Sequence, residues 1–258
     1  MTLFGGIAQI PLILPLALCV LYLGYQRWKP NKSFKNVTHS EFFTYNMALT
    51  QLLNISGTVT NVCGLYTSSD AVARVGDYLY GAHFITELLF HSLTCVDRYL
   101  AIVKPILYLK LKQRLGIVVR NVLAGVVWLL YLGYIGLQQY YYPSYPITVL
   151  ICTLIVMFHI ISFCSVSVLC VLLRPGPGGT GQKKIDQSKL KAFQTIMAIM
   201  VVVLIWVLGI FVVIWVENTV KINLKVHCVL FEMIVWLSLP TSAVLLVLYL
   251  QRTSKFNK

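Results

Sequence analysis

Hydrophobic positions fall along this chain in seven long blocks, roughly 3–25, 42–66, 75–101, 117–137, 147–173, 193–216 and 226–250. About 20 mostly apolar residues in helical rise cross a bilayer core, and each block meets that length. The connections between blocks are short and carry most of the charge. No stretch is left over for a soluble domain. The pattern predicts an all-α membrane protein, a single seven-transmembrane helix bundle over 1–258. In such a bundle the polar side chains inside the spans must be buried against one another.

Composition sharpens this picture. The chain is 58% hydrophobic and only 11% charged, whereas a soluble domain carries about a quarter. The charge is also one-sided. With the N-terminus outside and the C-terminus cytoplasmic, all but three of the 21 lysines and arginines lie inside; Arg74, Lys221 and Lys225 are the exceptions. That asymmetry sets the orientation. The net charge of +13 then belongs to a membrane face, suited to anionic lipids and an acidic partner surface rather than to nucleic acid. The first block has no basic start or small-residue cleavage pattern and so reads as a span. Only Met1 and Thr2 precede it, which leaves a truncated front end open. The sequons at Asn31 and Asn36 fall on the cytoplasmic side, where they stay unmodified.

Seven cysteines are scattered through the spans and near their ends, a distribution unlike a disulfide framework. They read as small packing residues, with Cys63 and Cys228 the one pair placed to join at the outer face. The segment from Arg174 to Lys184 is rich in Gly and Pro and ends the fifth block in a flexible basic loop. The segment Gln138–Pro146 is aromatic and reads as an interfacial loop, either a belt of tyrosines or a ligand lid.

The third block carries the chemistry. At 3.6 residues per turn, Tyr80, Glu87 and His91 lie within roughly 20° of the direction of Arg98. They form one polar stripe, with His83 at its edge. Lipid disfavours such a stripe by several kcal/mol, so it faces the bundle interior. His83 and His91 stand one turn either side of Glu87. The group reads equally as a satisfied polar core or as a proton or cation site; no metal site is expected, and Gln51 in the second block is a candidate partner. Nothing resembles a catalytic constellation, so no enzyme and no cofactor are expected.

The string Cys95-Val-Asp97-Arg98-Tyr99-Leu-Ala-Ile-Val-Lys104-Pro105 closely resembles the end of the third helix and the second cytoplasmic loop of rhodopsin-like (class A) G-protein-coupled receptors. Asn46-Met-Ala-Leu-Thr-Gln51 resembles the family's second-helix motif, with Gln51 where the sodium-binding aspartate belongs, and Trp128 stands midway through the fourth block. Lys191-Ala-Phe-Gln-Thr195 is similar to the basic start of the sixth helix. The resemblance implies a plasma-membrane receptor for an unknown extracellular ligand, coupled to a heterotrimeric G protein through Asp97, Arg98, Tyr99, Lys104 and Pro105. It places a ligand pocket at Asp77 and Tyr80; a tyrosine where amine receptors carry aspartate argues against an aminergic ligand. It also suggests that the carboxylate of the second helix has moved to Glu87.

Departures are equally plain. Ala73 replaces the cysteine that ties the third helix to the second outer loop, and Lys189 stands where some members carry an acid that locks the arginine. The sixth block reads Ile205-Trp206-Val207-Leu208-Gly209 in place of Cys-Trp-x-Pro, so a kink would have to come from Gly209. The seventh reads Leu239-Pro240-Thr241-Ser242-Ala243 in place of Asn-Pro-x-x-Tyr. Two other readings therefore accompany the receptor: a non-signalling seven-helix scaffold, and a proton or cation transporter using His83, Glu87, His91 and Glu232.

Overall fold

The computed structural model describes residues 3–31, 38–111, 114–142, 147–173, 187–219 and 224–254. They form eight helices and no strands: α1 Leu3–Asn31, α2 His39–Tyr66, α3 Asp70–Val103, α4 Pro105–Leu111, α5 Arg114–Tyr141, α6 Ile147–Leu173, α7 Gln187–Thr219 and α8 Leu224–Ser254. Every predicted block is a helix, usually extended by a few residues. Five are long and apolar enough to cross a membrane, over Ile7–Gln26, Gly116–Tyr141, Thr148–Val171, Ile196–Val213 and Glu232–Gln251. The protein is thus a multi-pass membrane-type helical bundle.

The remaining two long helices, α2 and α3, are more polar and occupy the interior. A capping box opens α2: Thr38 Oγ1 accepts from the Glu41 N–H, and the Glu41 carboxylate accepts from the Thr38 N–H at 3.1 Å. This supplies two of the helix's otherwise unmet donors with partners. At the far end Ser69 N–H bonds Gly64 O at 2.9 Å and Ser68 N–H bonds Leu65 O at 3.3 Å, the paired bonds of a Schellman turn. Ser68 supplies the left-handed residue with φ 55°.

That turn folds α3 back along α2 at very close range. A Cβ on Gly64 would run into the backbone of Ala73, and one on Gly76 into the backbone of Asn61. Small residues permit this backbone contact. Around the pair, Phe43, Met47, Phe90, Cys95, Leu154, Ile161, Ile196, Val203 and Trp206 form the main apolar core. A second cluster joins α1, α2 and α8 through Ala17, Val20, Ala48 and Leu246. Outward-facing side chains of the five apolar helices, such as Leu12, Leu129, Phe163 and Val212, are exposed hydrocarbon, as a lipid-facing surface requires.

Two readings of the connections are corrected. The segment between the third and fourth blocks holds a short helix, α4, opened by Pro105 at its first position, where a missing N–H costs nothing. The aromatic segment after the fourth block is helical through Tyr141, since its glutamines and tyrosines continue α5 until Pro143 approaches. Gly209 and Pro240 lie inside α7 and α8, which continue through both, and Gly209 sits against Leu237. The Arg174–Lys184 segment and Asn36 lie outside the described residues, as do the side chains of Asn31, Lys189 and Lys191. Cys63 is exposed; the Cys228 side chain lies outside the described residues, and with it the proposed pairing.

Candidate functional site

The register of α2 against α3 organises the site. Asn61 Nδ2 donates to Asp77 Oδ1 at 2.6 Å, and Arg98 Nη2 donates to Ser40 Oγ at 2.6 Å. One step along α2 therefore matches one step back along α3. Ten residues from Asn61 is Gln51, and ten from Asp77 is Glu87, so these two stand level in the middle of the bundle.

Glu87 is the hub of that middle tier. His83 Nε2 approaches Glu87 Oε2 to 3.0 Å, within ion-pair range though not aligned as a hydrogen bond. His91 Nε2 lies 3.6 Å from Glu87 Oε1. From α8, Ser242 Oγ donates to Glu87 Oε2 at 3.2 Å, and His91 Nε2 bonds the Thr241 carbonyl at 3.0 Å. Because a carbonyl only accepts, that nitrogen of His91 carries the hydrogen. Glu87, His83 and His91 are all almost completely buried. The imidazoles and the Ser242 hydroxyl give the buried carboxylate polar neighbours, so it is not buried alone. Gln51 is fully buried and level with Glu87, yet its amide makes no hydrogen bond among the described residues. The structure thus brings His83, Glu87 and His91 together as expected, and adds Thr241 and Ser242 of α8. These two directly follow Pro240 and lie between it and Ala243. No group of His, Cys, Asp and Glu able to hold a metal ion occurs among the described residues.

The second tier lies at the end of α3. Asp97 is buried, while Arg98 and Tyr99 are half-buried. Tyr99 packs on Phe163 of α6 with ring centroids 5.7 Å apart. Lys104 caps α3 through its N–H to Leu100 O at 3.1 Å, and its carbonyl accepts from Tyr108 N–H at 3.0 Å, so it joins α3 to α4. Burial and then the nearby Asp97 carboxylate push the Tyr108 phenol up. His39 Nε2 bonds Leu111 O at 3.0 Å and so pins the end of α4 to the start of α2. Ser40 and His39 carry no signal in the sequence beyond their position before an apolar run. Arg120 is buried with its guanidinium 4.3 Å over the Phe42 ring.

The third tier holds the two expected pocket residues. Asp77 is tied to α2 by Asn61, which also donates to Ala73 O at 3.1 Å. Tyr80 sits edge-on to Phe84 at 5.2 Å, and Phe84 stacks on Trp206 of α7 at 5.6 Å. An aromatic ladder therefore runs from Tyr80 to the tryptophan of α7. Gln138 donates to Tyr78 O at 3.2 Å, and the Arg74 guanidinium lies 5.3 Å over Tyr142, so the aromatic segment closes onto α3. Glu232 is half-buried and opens the apolar stretch of α8, away from the middle tier. A fourth link, Trp128 Nε1 to Asn46 Oδ1 at 3.0 Å, fastens α5 to α2.

Searches against protein-family models and against curated protein sequences find no match.

Proposed function

We propose that this chain is a rhodopsin-like seven-helix receptor of the plasma membrane. In this reading α2 and α3 are two further spans, the N-terminus is outside and the C-terminus cytoplasmic. An extracellular ligand acts near Asp77 and Tyr80, and a heterotrimeric G protein is engaged by Arg98 and its basic surroundings. The observation that carries the reading is the setting of Arg98. It is half-buried at the end of α3, held by Ser40, with buried Asp97 before it and the short helix α4, which carries Lys110 in its last turn, after it. Its guanidinium reaches the first turn of α2 at Ser40, and the neighbouring His39 ties that turn to the end of α4. Support also comes from the Trp128–Asn46 hydrogen bond, which joins two other residues of the resemblance. The helix lengths agree: α2 and α3, with 28 and 34 residues, are each longer than a bilayer core requires.

The test is ligand-free nucleotide exchange on a panel of Gα subunits, in membranes with confirmed surface delivery. The wild type accelerates exchange on at least one subunit and Arg98→Ala does not. Equal rates with and without Arg98 would remove the reading.

One observation favours a second reading. The polar stripe of α3 runs from Tyr80 through His83, Glu87 and His91 to Arg98, with imidazoles on both sides of the carboxylate. Such a stripe suits a proton path. A proton-driven current that disappears in Glu87→Gln would establish transport in place of signalling.

A further inference from the structure

We infer that the first turn of α2 is the restraint on the coupling arginine, with Ser40 as the positioning residue that holds Arg98 at rest. The consequence for signalling rests on the receptor reading above; the restraint itself does not.

Three observations converge on this turn. Arg98 Nη2 donates to Ser40 Oγ at 2.6 Å, a short bond from a charged donor of the kind that contributes most. Ser40 is itself buried and cannot swing away into water. The adjacent residue, His39, bonds Leu111 O at 3.0 Å and lies beside the Tyr108 ring at 6.5 Å. The same turn therefore grips both the arginine and the helix that follows it. The capping box of Thr38 and Glu41 makes the turn rigid, so the serine is a fixed point.

Geometry also explains why a serine suffices. Lys189, at the start of α7, offers no carboxylate to pair with the arginine. A neutral hydroxyl on α2 supplies one hydrogen bond, strong enough to set the rotamer and weak enough to be given up. Release of Arg98 then requires no movement of α2 against α3, whose glycine contacts are locked. Only the guanidinium turns away, as it would toward an incoming acidic or carbonyl-rich helix end.

The restraint is testable with the detergent-purified full chain. Phenylglyoxal, an arginine reagent, is followed by mass spectrometry at the peptide containing Arg98, in wild type, Ser40→Ala and Ser40→Thr. Ser40→Ala should modify Arg98 roughly tenfold faster, the scale of losing a hydrogen bond from a charged donor. Ser40→Thr keeps the hydroxyl and should behave as wild type. Equal rates in wild type and Ser40→Ala would overturn the inference, and so would equal acceleration in both variants, which would make the contact one of packing alone. In parallel, Ser40→Ala should raise ligand-free nucleotide exchange, and the rise should vanish in Ser40→Ala/Arg98→Ala. Faster modification with no exchange on any Gα in any variant would keep the restraint and remove the receptor reading. Exchange unaltered by Ser40→Ala in a wild type that does signal would remove the restraint's role.

Discussion

The α2–α3 pair and the α6–α7 pair are joined by opposite chemistry. Between α2 and α3 the backbones touch at Gly64 and Gly76, and polar side chains bridge the helices at Ser40–Arg98 and Asn61–Asp77. Between α6 and α7 the contact is aliphatic, through Ile161, Cys164 and Val168 with Ile196, Ile199 and Val203. The described side chains of those two helices meet without a hydrogen bond between them. The difference follows from exposure. Helices that face lipid on one side can bury little that is polar, whereas α2 and α3 are screened by their neighbours and carry Asp77, Glu87, Asp97, His83, His91 and Arg98. A directional interface is fixed in one register; an aliphatic one slides at small cost. Motion, on this account, belongs to α6 and α7, and chemistry to α2 and α3.

The comparison breaks most visibly at the glycines. Gly76→Leu should prevent the α2–α3 contact and destabilise the protein by about 3 kcal/mol, seen as a large fall in thermal midpoint in detergent. Gly133→Ala in α5, where a Cβ meets nothing within 4 Å, should be neutral or raise the midpoint, because alanine is the better helix former. Next in size is Glu87→Leu, which removes the acceptor of Ser242 and the carboxylate beside His83 and should cost about 2 kcal/mol. Glu87→Gln keeps an acceptor for Ser242 and should cost less, while abolishing any dependence of signalling on sodium or on pH. A retained dependence would show that Glu87 is ordinary polar core. On the aliphatic side, Ile199→Val should cost only about 1 kcal/mol; a loss as large as that of Glu87→Leu would erase the distinction between the two pairs. Of similar size and opposite sign, Ser68→Gly should relieve the left-handed turn and stabilise by about 1 kcal/mol, read from the same melting curves.

Much of this arrangement was legible in the sequence because periodicity and hydropathy are local signals. All seven blocks are helices, and the spacing of His83, Glu87 and His91 on α3 predicted their association. The residues that complete the site were not legible, because they come from other helices. Ser242 and Thr241 reach Glu87 and His91 from more than a hundred positions away, and no pattern within α8 marks them. Gln51 shows the converse. The register does set it level with Glu87, but its side chain does not bond there, a matter of rotamer and packing that spacing cannot express. The short α4 escaped because seven residues carry too little periodicity to separate a helix from a loop. At the third tier, the resemblance makes Asp77 and Tyr80 pocket residues; the contact of Asp77 with Asn61 depends on the pairing of α2 with α3, which no local pattern expresses.

The central claim, that Arg98 engages a G protein, is tested most directly by isolating the complex. The tagged chain in membranes is mixed with heterotrimers of each Gα class, nucleotide is removed enzymatically, and bound heterotrimer is measured after purification. The account predicts a nucleotide-free complex with at least one class, dissolved by added GTP analogue and absent for Arg98→Ala. A wild-type chain that retains no heterotrimer, or an Arg98→Ala chain that retains as much, would contradict it.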